Sequence, residues 1–356
     1  MAFRVLGAGN FPDFRTISDF RKIHLKTLEG LFVQVLEMCE KAGLVKLGTV
    51  ALDGTKMKAN ASLDNTRTYK KIVEEIFREA QEIDEMEDRL YGPNNRGDEL
   101  PEGFRTKKER LERLRKAKKE IEDEQRQKRE EHEKKIQERT EREDETGKKT
   151  RGRKPTPVSE APNNDEKRNT TDPDSRIMKT RTGFVQGYNA QLVVDTESQV
   201  IVANDVTQEC NDLHQLVPML EQVERNLGRL PKRCTTDAGY WNVEQIKMMQ
   251  SLVNLYIATL KDWKQRKALR EKPPPRGRIP RDIGLQDRME RKLLTKKGRA
   301  IYKKRGASVE PVNGQIKDAR GIVRFLMRGI QKVTGEWSLI STTHNILKLW
   351  RHRLGV

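Results

Sequence analysis

The run Thr49-Val50-Ala51-Leu52-Asp53-Gly54-Thr55-Lys56-Met57-Lys58-Ala59-Asn60-Ala61 is where a fold first becomes visible in this chain. A β-prone apolar segment carries one carboxylate at its end, and the Gly-Thr-Lys that follows reads as a turn exposing it. Two later places repeat the pattern. Cys234-Thr235-Thr236-Asp237-Ala238-Gly239-Tyr240 sets an acid at a strand end, and Val309-Glu310-Pro311-Val312 sets one at a helix start. The residue before a proline avoids the helical region, whereas proline itself suits a first helical turn. Three separated acids at element ends are what a fold needs to hold two divalent metal ions for phosphoryl transfer.

Composition narrows the partners. The 356 residues are enough for two domains, or for one with a large insertion. Apolar residues make up only 34% and charged ones 35%, so much of the chain must be solvated or bound to a charged partner. A net charge of +18 points to a polyanion such as a phosphate backbone, without specifying any sequence. Cys39, Cys210 and Cys234 have neither ligand-like nor pairing spacing, which fits a reducing compartment. No apolar run approaches the roughly 20 residues of a membrane span.

With the acids in their surroundings, the chain resembles the DDE transposases of bacterial insertion sequences. The resemblance is carried by Asp53 in ALDGTKMKANAS, Asp237 in TTDAGYWN, and Glu310 in the spacing Tyr302-x2-Arg305-x4-Glu310-x6-Lys317. It extends over PDFRTISDFR (12–21), TDPDSRIMKT (171–180) and GFVQGYNAQLVVD (183–195). The resemblance implies an α/β fold, a ribonuclease H-like mixed sheet flanked by helices, with a long charged helical insertion after the first strand. In that fold the first and fourth strands are neighbours, so Asp53 and Asp237 should end side by side.

The resemblance also implies a chemistry: divalent-metal-dependent DNA strand cleavage and strand transfer during transposition. Asp53, Asp237 and Glu310 would be the catalytic and metal-binding residues, holding two Mg2+ (or Mn2+) ions. Tyr302, Arg305 and Lys317 would handle DNA. The partners would be double-stranded DNA, as transposon ends and target, and a second copy of the chain in a homodimeric active complex. The place would be the bacterial cytoplasm, at the nucleoid. The family's N-terminal DNA-binding region is expected to be lacking. Two alternatives stay open: a truncated or inactive transposase-derived DNA-binding protein, and a related metal-dependent nuclease.

Four parts are expected. Residues 1–43 form a helical linking segment, with a helix start at Thr16-x-x-Asp19 and a stop at Gly43. Residues 44–64 hold the first core strand, Leu44 to Leu52, and the first catalytic Asp. Residues 65–182 are the charged insertion. In it Tyr69, Ile76, Ile83 and Leu90 recur at seven-residue spacing, whereas Leu111, Leu114, Ile121 and Ile136 are too sparse for a long seam, so a helical hairpin is expected. Residues 147–172 read as a flexible linker with a basic cluster, Lys148 to Lys154.

Residues 183–356 complete the core. From Gly183 apolar residues alternate with Gly187, Asn189 and Gln191, the period of a strand with one buried face, and Val200 to Val206 reads as its hairpin partner. Lys232 to Asp237 and Leu255 to Thr259 are further strands. Pro273 to Pro275 argue against regular structure before a helix from Leu285, and two helices are expected after Glu310. Asp64, Asp195, Asp205 and Asp212 also sit near element ends and read as turn or cap residues. Asp53 and Asp237 differ in having a glycine within two residues, which permits close approach of backbone to a phosphate.

Overall fold

The computed structural model describes residue 10 and residues 12–91, 102–147, 157–180, 182–280 and 282–355. Two compact units emerge: Met1–Asn60 with Ile177–Val356, and Ala61–Arg176.

In chain order the larger unit begins with helices α1 (Phe14–Ile23) and α2 (Leu25–Lys41) and strand β1 (Val50–Lys58). The smaller unit follows with β2 (Thr66–Thr68), α3 (Tyr69–Tyr91), α4 (Glu102–Thr146) and β3 (Lys167–Asn169). Strands β4 (Arg176–Thr180), β5 (Gly183–Asp195) and β6 (Ile201–Thr207) come next, then α5 (Leu216–Leu227), β7 (Arg233–Thr236), α6 (Val243–Met249) and β8 (Asn254–Ile257). Helices α7 (Asp262–Glu271), α8 (Leu285–Leu294), α9 (Lys296–Gly314) and α10 (Ile330–Leu354) close the chain.

The main sheet runs β6-β5-β1-β7-β8, with β4 also paired to β5. Strand β5 is antiparallel to both of its neighbours β6 and β1, whereas β7 and β8 run parallel to β1. That order and those directions are the ribonuclease H-like sheet. Strand β5 is its spine, and from Gln186 onward it is buried on both faces rather than one. Its polar residues Asn189 and Gln191 are therefore interior and must be paired within the fold. Helix α10 packs on α2 and on β6. Its Trp337 indole donates to Gln191 O at 3.1 Å, and its Asn345 side chain bonds both the N–H and the C=O of Ile201, at 2.9 and 2.8 Å.

Several local expectations give way to tertiary context. Strand β1 starts at Val50, not Leu44, and continues through Gly54-Thr55-Lys56. These residues pair with Gln191, Ala190 and Asn189 of β5 instead of turning, so Asp53 is a mid-strand residue. A Cβ at Gly54 would press on the Asp212 carboxylate and the Gln191 amide, which are hydrogen-bonded to each other, so any larger residue would displace that pair. Helix α1 is capped by Asp13, whose carboxylate accepts from Thr16 N at 2.8 Å, so it starts before Thr16. Helix α5 begins at Leu216, which puts Pro218 in its first turn, where no donor is missed. A helix, α7, occupies 262–271 ahead of the prolines.

Glu310 does not start a helix. It lies inside α9, with Pro311 in the helix interior, and a π-helical turn follows at Gln315–Ala319. Proline has no N–H to offer the carbonyl four residues back, Ala307 O. The Gln199 side-chain amide takes that carbonyl instead, at 3.2 Å. After the π turn, residues 320–329 are irregular, and α10 is the one further helix among the described residues. Phe325 is buried there, and its N–H bonds Lys58 O at the end of β1, at 2.9 Å.

In the smaller unit α3 and α4 form a hairpin. Ile72 packs with Leu114, Ala117 and Ile121, supported by Tyr69 and Ile76, and Ile83 packs with Leu111, supported by Ala80 and Met86. Ile136, farther along α4, is exposed. The expected linker is ordered in part: β3 pairs with β2, and Arg168 is buried against Glu124 of α4. The basic cluster Lys148–Lys154 and the loop with Pro93 and Pro101 lie outside the described residues.

Candidate active site

Strands β1 and β7 are parallel, with Val50 beside Cys234 and Ala51 beside Thr235. Continued two residues, past the end of β7, that register leads to Asp53 and Asp237, and Asp237 is close enough to raise the Asp53 carboxyl. The two acids differ in surroundings. Asp53 remains in the strand, whereas Asp237 caps a short 3-10 turn at Ala238–Tyr240 by accepting from Gly239 N at 2.9 Å. Burial, first of all, raises the Asp53 carboxyl to about 7, and repulsion by Asp237, Asp212 and Glu310 adds to it, while Arg305 pulls the other way. Asp237 is raised too, by burial and by Asp212 and Asp262, against Arg305 and the Gly239 hydrogen bond.

Glu310 is placed differently. Its side chain is half exposed, and its Oε1 is paired with Nη2 of Arg266. It is near enough to raise Asp53, yet among the described residues no three His, Cys, Asp or Glu side chains form a metal-ligand cluster.

Between the acids runs a chain of ion pairs. Arg305, only 6% exposed, holds Nη1 3.4 Å from Asp53 Oδ1 and Nη2 2.9 Å from Asp262 Oδ1. Asp262 gives its other oxygen to Arg266 Nε at 2.7 Å, and Arg266 reaches Glu310. Five groups thus alternate in sign: Asp53, Arg305, Asp262, Arg266, Glu310. Tyr302 is buried, and its hydroxyl donates to Asp262 Oδ1 at 3.2 Å. A ring in that position is a packing residue with a polar tip, not an open stacking surface. Trp263, by contrast, is largely exposed. Lys317 Nζ donates to Thr55 Oγ1 at 2.5 Å and to Lys56 O at 2.9 Å, tying the π turn to β1, and burial lowers its pKa.

The structure thus gathers Asp53, Asp237 and Arg305 directly, Tyr302 and Glu310 through the ion-pair chain, and Lys317 on β1 two residues past Asp53. Three further residues of the site escaped sequence reasoning. Asp262 and Arg266 are an i,i+4 pair at the start of α7, a pattern that was legible once a helix was assigned there. Asp212, read as a turn acid, accepts from Asn189 Nδ2 and Gln191 Nε2, both at 2.7 Å. Polar residues at 189 and 191 of a strand otherwise rich in apolar ones were the available signal.

The donor set suits a hard divalent cation. Asp237, Asp212 and Glu310 all repel charge on Asp53, which a cation would relieve, and a protein cation, Arg305, already stands against Asp53.

Residues 164–346, just over half of the chain, match the family described as the transposase DDE domain. The chain belongs to that family, whose members are transposases acting on DNA and generally use divalent metal ions. The matched stretch contains Asp237 and Glu310; Asp53 lies ahead of it, on the strand that pairs with β7. Neither the curated proteins nor the solved structures yield a significant match. No helix among the described residues is long and apolar enough to cross a membrane.

Proposed function

We propose that this transposase cleaves DNA strands at the ends of an insertion sequence and transfers them to target DNA, with Asp53, Asp237 and Glu310 holding two Mg2+ or Mn2+ ions. What supports this most is that the β1–β7 register, continued two residues past its last pair, leads to Asp53 and Asp237, and that Asp237 is near enough to raise the Asp53 carboxyl. When bound, such ions activate a water or a 3'-hydroxyl on one side of the scissile phosphate and stabilise charge on the other. The chain's own residues supply the rest. Asp53, on β1, and Asp237, just past the end of β7, would offer the carboxylate oxygens, and burial raises the proton affinity of both. Arg305, fixed by Asp262 and Asp53, keeps a guanidinium beside the acids, where a phosphate oxygen can be received. Tyr302 orients Asp262, and Lys317 contributes a second cation on β1.

The partners are transposon-end and target duplexes. A homodimeric active complex in the bacterial nucleoid, and residues 65–182 as an insertion in the catalytic core, rest on the family resemblance. A nuclease of the same fold is the second reading, favoured only by the shared acids. The test is Asp53→Asn, Asp237→Asn and Glu310→Gln, each of which keeps shape and removes a charge. Each should abolish Mg2+- or Mn2+-dependent cleavage with the circular dichroism spectrum unchanged. A variant that cleaves like the unmodified protein takes its residue out of the site. Joining of a pre-cut end to target DNA separates transposase from nuclease.

A further inference from the structure

We propose that Arg266 is a DNA-backbone ligand of the active site: in the resting protein it is parked on Glu310, and it passes to a phosphate when that carboxylate takes up a divalent ion. The inference rests on the strand-cleavage function above for the ion at Glu310; the exchange itself is read from the ion-pair chain.

The chain has a closed end and an open end. Arg305 and Asp53 are 6% and 19% exposed, whereas Arg266 and Glu310 are 48% and 51% exposed. A solvent-exposed ion pair contributes little and is easily exchanged. A divalent ion on Glu310 would repel the guanidinium that now touches the same carboxylate. Release need not disorder the arginine, because Asp262 Oδ2 holds its Nε at 2.7 Å. The side chain can pivot about that bond and turn both terminal nitrogens outward. A planar guanidinium fork matches the oxygens of a phosphate better than an ammonium would.

The surroundings favour a polyanion. Gln265 and Ala268 are the buried residues of α7, while Lys264, Lys267 and Arg270 lie on the same helix, with Lys264 Nζ 5.5 Å from the exposed Trp263 ring. A phosphate bound by Arg266 would therefore approach Glu310 over a basic helix face. Asp262, which holds Arg305 on one oxygen and Arg266 on the other, is the positioning residue for both.

The experiment uses the full chain and two readouts. Mn2+ binding without DNA is followed by electron paramagnetic resonance. Duplex affinity is measured against salt, once with Ca2+ to load the site without cleavage and once with EDTA. Arg266→Ala should bind Mn2+ about thirtyfold more tightly, the effect of removing one unit charge ~4 Å from a divalent ion in water. Its slope of log affinity on log salt should be lower than that of the unmodified protein by about 0.9 in Ca2+, one phosphate contact, and equal to it in EDTA. Arg266→Lys should retain the slope, which separates a lost contact from a damaged fold. Equal Mn2+ affinities, or equal slopes in Ca2+, overturn the proposal. If the unmodified protein binds Mn2+ and cleaves DNA while Arg266→Ala matches it in both readouts, Arg266 alone is excluded; if the unmodified protein does neither, the strand-cleavage function is what fails.

Discussion

The Arg305 guanidinium stands 3.4 Å from the Asp53 carboxylate, and burial together with three neighbouring acids still holds that carboxyl up at about 7. A charged neighbour loses to desolvation when the site is closed on most sides. The imbalance predicts how stability depends on pH. An unfolded aspartate titrates near 3.9. Between about pH 4 and 7 the folded protein therefore keeps a proton that the unfolded chain has released, and the contribution of this group to stability falls as pH rises through that window. Asp53→Asn should leave stability nearly unchanged at pH 4.5 and raise it at pH 8, with a higher melting temperature there, by on the order of a few kcal/mol at ~1.4 kcal/mol per pKa unit. Thermal melts in EDTA at the two pH values decide it. An equal effect at both would mean that Asp53 titrates normally.

A second buried carboxylate does purely structural work. Glu336 of α10 accepts from Leu326 N at 3.0 Å on each of its oxygens, and from Met327 N at 2.9 Å. These bonds anchor the irregular segment that passes the end of β1. Glu336→Ala leaves the buried Met327 N–H and the part-buried Leu326 N–H without this partner, at ~1–3 kcal/mol for each group that water does not reach. Urea unfolding should show a loss of about 2–5 kcal/mol, with Glu336→Gln falling between the alanine variant and the unmodified protein. A loss below ~1 kcal/mol would mean that water or a neighbouring carbonyl replaces the carboxylate.

How much of this was legible in the sequence depended on the range of the interaction that decides each element. The β5–β6 hairpin and the α3–α4 hairpin with its Tyr69, Ile76 and Ile83 seam follow local periodicity, and the structure has them. Strand β1 runs past its local reading because Gly54-Thr55-Lys56 are turn residues until the 13 residues of β5 give them a cross-strand partner. Asn189 and Gln191 looked like the solvent side of a strand, since only the fold brings Asp212 and the Tyr240 hydroxyl to pair with them. The ion-pair chain was invisible for the same reason: charges can be counted in 261–310, but which arginine meets which acid depends on α7 and α9 lying together. Glu310 was placed at a helix start by a sound local rule that a distant glutamine overrides.

That glutamine supplies the last prediction. Pro311 withholds the donor that Ala307 O would receive in a regular helix, and Gln199 Nε2 fills the gap at 3.2 Å. Gln199 sits in the β5–β6 turn at φ 61, where its own carbonyl meets His344 Nε2 at 2.9 Å and its side-chain oxygen accepts from Lys348 at 2.7 Å. Mutating it would disturb several contacts at once, so a single variant is ambiguous. A double-mutant cycle isolates the one in question. In Pro311→Ala the restored N–H can bond Ala307 O, and the Gln199 amide becomes dispensable for that carbonyl. Gln199→Ala should therefore cost about 1 kcal/mol less in the Pro311→Ala background than in the unmodified protein, the value of one neutral hydrogen bond. The left-handed backbone, the His344 contact and the Lys348 contact are common to both arms and cancel. Unfolding free energies of the four proteins measure the coupling directly, and a coupling of zero would show that Pro311 is accommodated without the help of Gln199.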